Sequence, residues 1–214
     1  MFFAEALRSD HALGGFTCGN QELDEWLQRS AWNATLAGSA RTRVWVDDTG
    51  AVVAYFTTAP HIVQRESMPK RVGRGGPAAI PSYLLAKLAL AIHLHGHPDR
   101  YGSVLLADAL DWLVNAARAV GGKLIIVDAI DERAARFYAH HGFKPTPTAQ
   151  RLYLKASDAA ASLAKPWPFE QRLTCERNPR AGLTCTGRKL PPLPGRWSGT
   201  ATGRGSLRRG VARG

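Results

Sequence analysis

IPSYLLAKLALAIHL (80–94), HGHPDRYGS (95–103), VLLADALDWLVNAARAVGG (104–122), KLIIVDAI (123–130) and DERAARFYAHHGF (131–143) follow one another without interruption, and their order decides the fold. Residues 84–94 are apolar apart from Lys87 and His93, which suits a central strand. A turn bearing Gly96, Pro98 and Gly102 comes next. Leu105, Leu106, Ala109, Trp112, Leu113 and Ala116 then recur at helical spacing. They predict a helix over 103–119 with that face buried and Gly121-Gly122 as its stop. Residues 124–127 are a continuous aliphatic run, the mark of a strand covered on both faces. A short helix over 134–141 ends at Gly142. The unit reads strand, loop, helix, strand, helix.

Working outward, FFAEAL (2–7) suits a first strand. Asn20 is placed to cap a helix in which Leu23, Trp26, Leu27, Ala31 and Ala34 share a face and Gly38 is the stop. RTRVWV (41–46), the turn DDTG (47–50) and AVVAYFTT (51–58) predict an antiparallel hairpin. Residues 60–79 carry Arg65, Lys70, Arg71 and Arg74 among glycines and prolines, and read as a mobile basic loop, either solvated or meeting a polyanion. RLYLK (151–155) alternates as a last strand, and 157–164 suits a short helical end. From Lys165 the composition turns to Gly, Pro, Arg, Ser and Thr without apolar periodicity, which predicts disorder over 165–214.

The net charge of +11 is concentrated at one end. Residues 1–164 carry +2 and residues 165–214 carry +9, so the basic balance says little about the folded part. Cys18, Cys175 and Cys185 have the spacing of neither a disulfide framework nor a zinc site. The start MFFAEALRSDHALGG lacks the pattern of a secretory leader, and no run is long and apolar enough for a spanning helix. The expectation is a cytoplasmic protein without a membrane partner.

Three groups of residues invite chemistry. A turn rich in amides before a helix N-terminus, here 96–103, is an anion seat, though an ordinary strand–helix connection looks the same. Tyr138, on the helix after the next strand, reaches the same sheet edge and suits either a general acid or a core phenol. Asp131 suits an N-cap. His93, His95 and His97 alternate, but Gly96 and Pro98 argue that the strand has ended, so no metal is expected. His140 and His141 read as solvated residues at a helix C-terminus.

Together these segments resemble the GNAT acyltransferases, and specifically the GNAT toxins of the TacT/AtaT type. The likeness covers residues 16–155. It rests on FTCGNQELDEWL (16–27), NATLAGSARTRVWV (33–46), IPSYLLAKLALA (80–91), GSVLLADAL (102–110) and VDAIDERAARFYAHHGFKPTP (127–147). The resemblance implies an α/β (α+β) GNAT fold over 1–164, with a mixed central sheet splayed between strands 4 and 5 and flanking helices, followed by the tail. It implies acetyl-CoA as cofactor, its pantetheine arm on main-chain groups of Leu88, Ala89 and Leu90. The pyrophosphate would sit on the loop from His95 to Val104, held by His95, Gly96, Arg100, Gly102, Ser103 and Val104, with Asp131 and Phe137 completing the set. Tyr138 would be the general acid, and amides at the splay would polarise the thioester carbonyl. The family's loop reads Gln/Arg-x-x-Gly-x-Gly. Gly96 and Gly102 match its glycines only with about two added residues, and His93 or His95 stands where Gln or Arg is expected.

The same resemblance implies that the acceptor is the α-amino group of aminoacyl-tRNA, whose acetylation blocks translation. Such an amine is much less basic than a lysine and needs no strong base. Arg41, Arg43, Arg65, Lys70, Arg71 and Arg74 would meet the tRNA phosphates. A ribbon-helix-helix antitoxin and a homodimer are implied as partners. Two other readings stay open: a GNAT enzyme acting on a small-molecule or protein amine, and a cofactor-poor relic that binds nucleic acid or protein.

Overall fold

The computed structural model describes residues 2–73 and 77–164, and within the tail the strands Thr174–Asn178 and Gly182–Thr186. In chain order the elements are β1 (Phe3–Ala6), α1 (Gln21–Arg29), α2 (Ala31–Leu36), β2 (Arg41–Val46), β3 (Val52–Gln64), α3 (Lys70–Gly73) and β4 (Ala79–Leu90). There follow α4 (Tyr101–Val120), β5 (Leu124–Asp128), α5 (Glu132–His140), β6 (Lys144–Pro145), β7 (Arg151–Lys155) and α6 (Ala156–Leu163). One seven-stranded sheet runs β1-β2-β3-β4-β5-β7-β6. Every neighbouring pair in it is antiparallel except β4 and β5.

That parallel pair makes the fold useful. It is short, matching Ser82, Tyr83 and Leu84 with Leu124, Ile125 and Ile126. Beyond Leu84, β4 stays paired to β3 as far as Leu90 but has left β5. The expected splay between strands 4 and 5 is therefore present, and it leaves one edge of β4 open.

Several elements differ from expectation for identifiable reasons. The helix predicted from 21 to 38 is two helices that break at Ser30, a residue whose side chain competes with the helix backbone. The break keeps Leu23, Leu27 and Ala31 all buried on the sheet, where Tyr55 donates its hydroxyl to Leu23 O at 2.8 Å. The basic segment 60–79 is mostly ordered structure. β3 and β4 continue as a long ribbon out to Gln64 and Ala79. Val63, Met68 and Ile80 close a second core with Leu124, Ile126 and Tyr153. Arg74 lies outside the described residues. The strand predicted over 84–94 sits instead at Ala79–Leu90, because Ala91 turns to donate to Val53 O and Ile92 to Thr17 O.

α4 buries Leu105, Leu106, Ala109, Leu110, Leu113 and Val114. Trp112, expected in that stripe, is 38% exposed at its border and carries the Arg43 guanidinium 4.8 Å from its ring centroid. The helix is tied to β2 by the Trp45 indole, which donates to Asp108 Oδ2 at 2.9 Å. In the tail, β8 (Thr174–Asn178) and β9 (Gly182–Thr186) pair antiparallel. Disorder does not hold for those ten residues, whose threonines favour extended backbone. The rest of that expectation lies outside the described residues. Among the described residues no helix is long and apolar enough to cross a membrane.

Candidate active site

The open edge of β4 faces a cavity of about 660 Å³, walled by the 94–105 loop and helix start and by the first turns of α5. Ala91 bonds Val53 through its amide, so the alternation of an antiparallel ladder turns the main-chain groups of Leu88 and Leu90 away from β3 and towards the gap. Both residues line the cavity. Ala89 is corrected out of the set: its main-chain groups face β3 and its side chain is buried on the opposite face. The Leu90 carbonyl is already occupied by His95, whose Nε2 donates to it at 2.8 Å and fastens the loop to the strand end. His95 is thus a loop anchor rather than a phosphate donor.

The loop ends in an unusual helix start. Arg100, the N-cap of α4, is in the left-handed region at φ 50°, where a non-glycine residue costs about 1–2 kcal/mol. Arg100-Tyr101-Gly102 therefore occupies the place of the family's Gly-x-Gly, and the compact spacing His97-Pro98-Asp99-Arg100-Tyr101-Gly102 is retained. The two added residues expected from matching Gly96 are not needed. The turn is braced from the side, because the Tyr101 ring stacks on His97 at 4.7 Å, meets Phe2 edge-on at 5.2 Å and donates its hydroxyl to Asp99 at 3.1 Å. Phe2 in turn stacks on Trp45.

The first turn of α4 opens into the cavity, where a helix presents amides that it does not itself use. Val104 is not one of them, since its amide bonds Arg100 O at 3.3 Å, and the Ser103 amide bonds the same oxygen at 2.8 Å. Gly102 lies against Phe137, and a Cβ there would sit 3.9 Å from that ring. The cation content is higher than expected, with Arg100 joined at the wall by Arg133. Asp131 lines the cavity and also caps α5, its Oδ1 accepting from the Ala134 amide at 2.6 Å. Gly96, Gly102, Ser103 and Phe137 all stand on the wall as anticipated.

Tyr138 closes the inner end. Its ring is buried between Phe137 and Phe143, edge-on to both at 5.4 Å. Among the described residues its hydroxyl has no hydrogen-bond partner, and the residue lines the cavity. Burial holds the phenol well above its ordinary pKa, so it stays protonated through the neutral range. A buried phenol facing an open strand edge and an anion seat is a proton donor waiting for a base.

The histidines divide. His93 is exposed on a single 3₁₀ turn, while His95 and His97 are engaged as described. Among the described residues no group of three His, Cys, Asp or Glu side chains is placed to hold a metal ion. His140 is exposed as expected, but His141 is half-buried, with Nε2 3.1 Å from Ser103 Oγ. Periodicity cannot report that contact, since it joins two helices 38 residues apart in sequence. On the face of the sheet away from α4, His61 Nε2 is a buried side-chain nitrogen without a partner. Burial and the Arg151 cation keep that imidazole's pKa low.

The basic set is scattered over separate structures. Arg41 donates to Thr35 O and Ala40 O, and Arg43 to Ala4 O, so both also serve the sheet edge. Arg65, paired with Glu66 at 3.8 Å, stands with the exposed Lys70 and Arg71 at the far end of the β3–β4 ribbon.

A mixed sheet splayed at its parallel pair, with an anion-binding helix start and a buried phenol at the gap, defines a GNAT-type acetyltransferase. No protein-family model matches the sequence. A tRNA-acetylating toxin of Mycobacterium tuberculosis (strain ATCC 25618 / H37Rv) is 35% identical over 147 residues, 68% of this chain and 87% of that protein. The chain belongs to this family of TacT/AtaT-type toxins. The probable toxin TacT of Sinorhizobium fredii is 24% identical over 148 residues, 64% of this chain and 81% of that protein. Among solved structures, AtaT complexed with acetyl-methionyl-tRNAfMet has a TM-score of 0.70 at 24% identity, covering 77% of this chain and 100% of that one. AtaTR bound with AcCoA has a TM-score of 0.65 at 24% identity, over 76% and 98%.

Arg100→Gly separates the two consequences of this loop. Glycine removes the left-handed strain, so the melting temperature is expected to hold or rise by a few degrees. Loss of the guanidinium is expected to weaken CoA binding about tenfold. Thermal melts with calorimetric titration check both, and a joint loss would make Arg100 a structural residue alone.

Proposed function

We propose that this protein transfers the acetyl group of acetyl-CoA to the α-amino group of aminoacyl-tRNA and so blocks translation. The observation that carries it is the unpartnered, protonated Tyr138 hydroxyl at the gap between β4 and β5. The donor set fits the cofactor: two guanidiniums, a helix N-terminus and a serine hydroxyl for phosphates, and an open strand edge for an amide-bearing arm. When bound, acetyl-CoA supplies an activated acyl group as a thioester.

The chain's own residues do the rest. Leu88 and the Leu90 amide hold the arm in extended register along β4. Arg100, Arg133, Ser103 and the start of α4 hold the phosphates. As the amine nitrogen bonds to the acyl carbon and the carbon–sulfur bond breaks, Tyr138 gives its proton to the departing sulfur. The amine's proton leaves to water, and the phenol is restored from solvent. Arg65, Lys70 and Arg71 are the exposed cations best placed for tRNA phosphates. The antitoxin expected for this family covers the same site, as the AtaT structure with the C-terminus of the antitoxin AtaR suggests for that protein.

The test uses acetyl-labelled CoA with a pool of charged tRNA and the same pool deacylated. Label on the aminoacyl group of charged tRNA alone is the expected result. CoA binding without transfer to any charged tRNA would overturn the acceptor and redirect the enzyme to a small-molecule or protein amine.

A further inference from the structure

The contact between His141 and Ser103 crosses from the end of α5 to the first turn of α4, at the cavity wall. The imidazole is held edge-on against Phe137 at 4.8 Å, so its orientation is set by packing. Burial, His140 and the Arg100 cation all disfavour its charged form. A neutral imidazole has one N–H, and the two tautomers have opposite consequences for Ser103. If Nε2 accepts the hydroxyl proton, Ser103 turns lone pairs to the cavity and repels an anion. If Nε2–H donates to Oγ, the hydroxyl hydrogen is released to point into the cavity as a donor.

We infer that His141 is a positioning residue of the phosphate seat, donating Nε2–H to Ser103 Oγ so that the Ser103 hydroxyl hydrogen is directed at the CoA diphosphate. This rests on the placing of CoA under Proposed function. His141 itself touches no substrate. It acts through Ser103 in the way that a ligand's second hydrogen bond fixes a histidine tautomer elsewhere.

The experiment is calorimetric titration of the full chain with CoA, in wild type, Ser103→Ala, His141→Phe, His141→Gln and the Ser103→Ala/His141→Phe double variant. Phe keeps the packing on Phe137, and Gln restores an N–H donor. His141→Phe is expected to weaken CoA about fivefold, the worth of one neutral hydrogen bond. His141→Gln is expected to recover most of that, and the double variant to bind no worse than Ser103→Ala. Nitrogen-15 spectra of the His141 ring are expected to show the Nε2–H tautomer with CoA bound. Wild-type affinity in His141→Phe, or an additive loss in the double variant, would overturn the inference and leave the CoA seat standing if Ser103→Ala is weakened. A wild type that takes no CoA would overturn both.

Discussion

Tyr138→Phe is expected to lower the rate of acetyl transfer by roughly 10²–10⁴, the range that a general acid contributes, while leaving fold and CoA affinity unchanged. The substitution removes one oxygen that has no protein partner among the described residues, so no buried hydrogen bond is lost. The edge-on contacts of the ring with Phe137 and Phe143 survive. A loss confined to turnover, with melting temperature and CoA titration as in wild type, identifies the phenol as the proton donor. Retained turnover would exclude it. The pH profile adds a sign: the acid must be protonated, and burial raises its pKa. Phenol ionisation therefore limits the rate only above the ordinary tyrosine pKa near 10.

Gly102→Asp is expected to abolish CoA binding without harming the helix that carries it. Gly102 is the second residue of α4, where an acidic side chain complements the helix dipole by about 0.3–1 kcal/mol. The added Cβ meets Phe137 at ordinary contact distance, 3.9 Å. Helix physics thus favours the change, whereas an anion seat opposes it, because the carboxylate stands where a phosphate would rest. Like charges held together cost several kcal/mol, so affinity is expected to fall roughly a hundredfold or more. Titration alongside a thermal melt checks this, and a loss under tenfold would place the diphosphate elsewhere.

Much of this was legible in one strand of residues. The aliphatic run at 124–127 announced β5, and the stripe from Leu105 to Leu113 announced α4, because burial on one or both faces leaves a periodic trace. Tyr138, Gly102, Ser103, Arg100 and Phe137 were likewise found through motifs that keep their spacing along the chain. Strand ends were not legible: the apolar run 84–94 gave no sign that β4 stops at Leu90, since Ile92 and Leu94 are apolar for contacts outside the sheet. Trp112 was misjudged because a residue at the border of a helical stripe satisfies the same period as one inside it.

The sequence by itself determined the order of elements, the splayed sheet through its family motifs, and the phenol on α5. Only the tertiary structure decided which main-chain groups of β4 remain open, that Arg100 takes the conformation where a glycine is usual, and that His141 reaches Ser103. Those facts depend on which elements come to lie side by side. Periodicity records which way a side chain faces, but distance between residues remote in sequence is set by packing, and packing leaves no period to read.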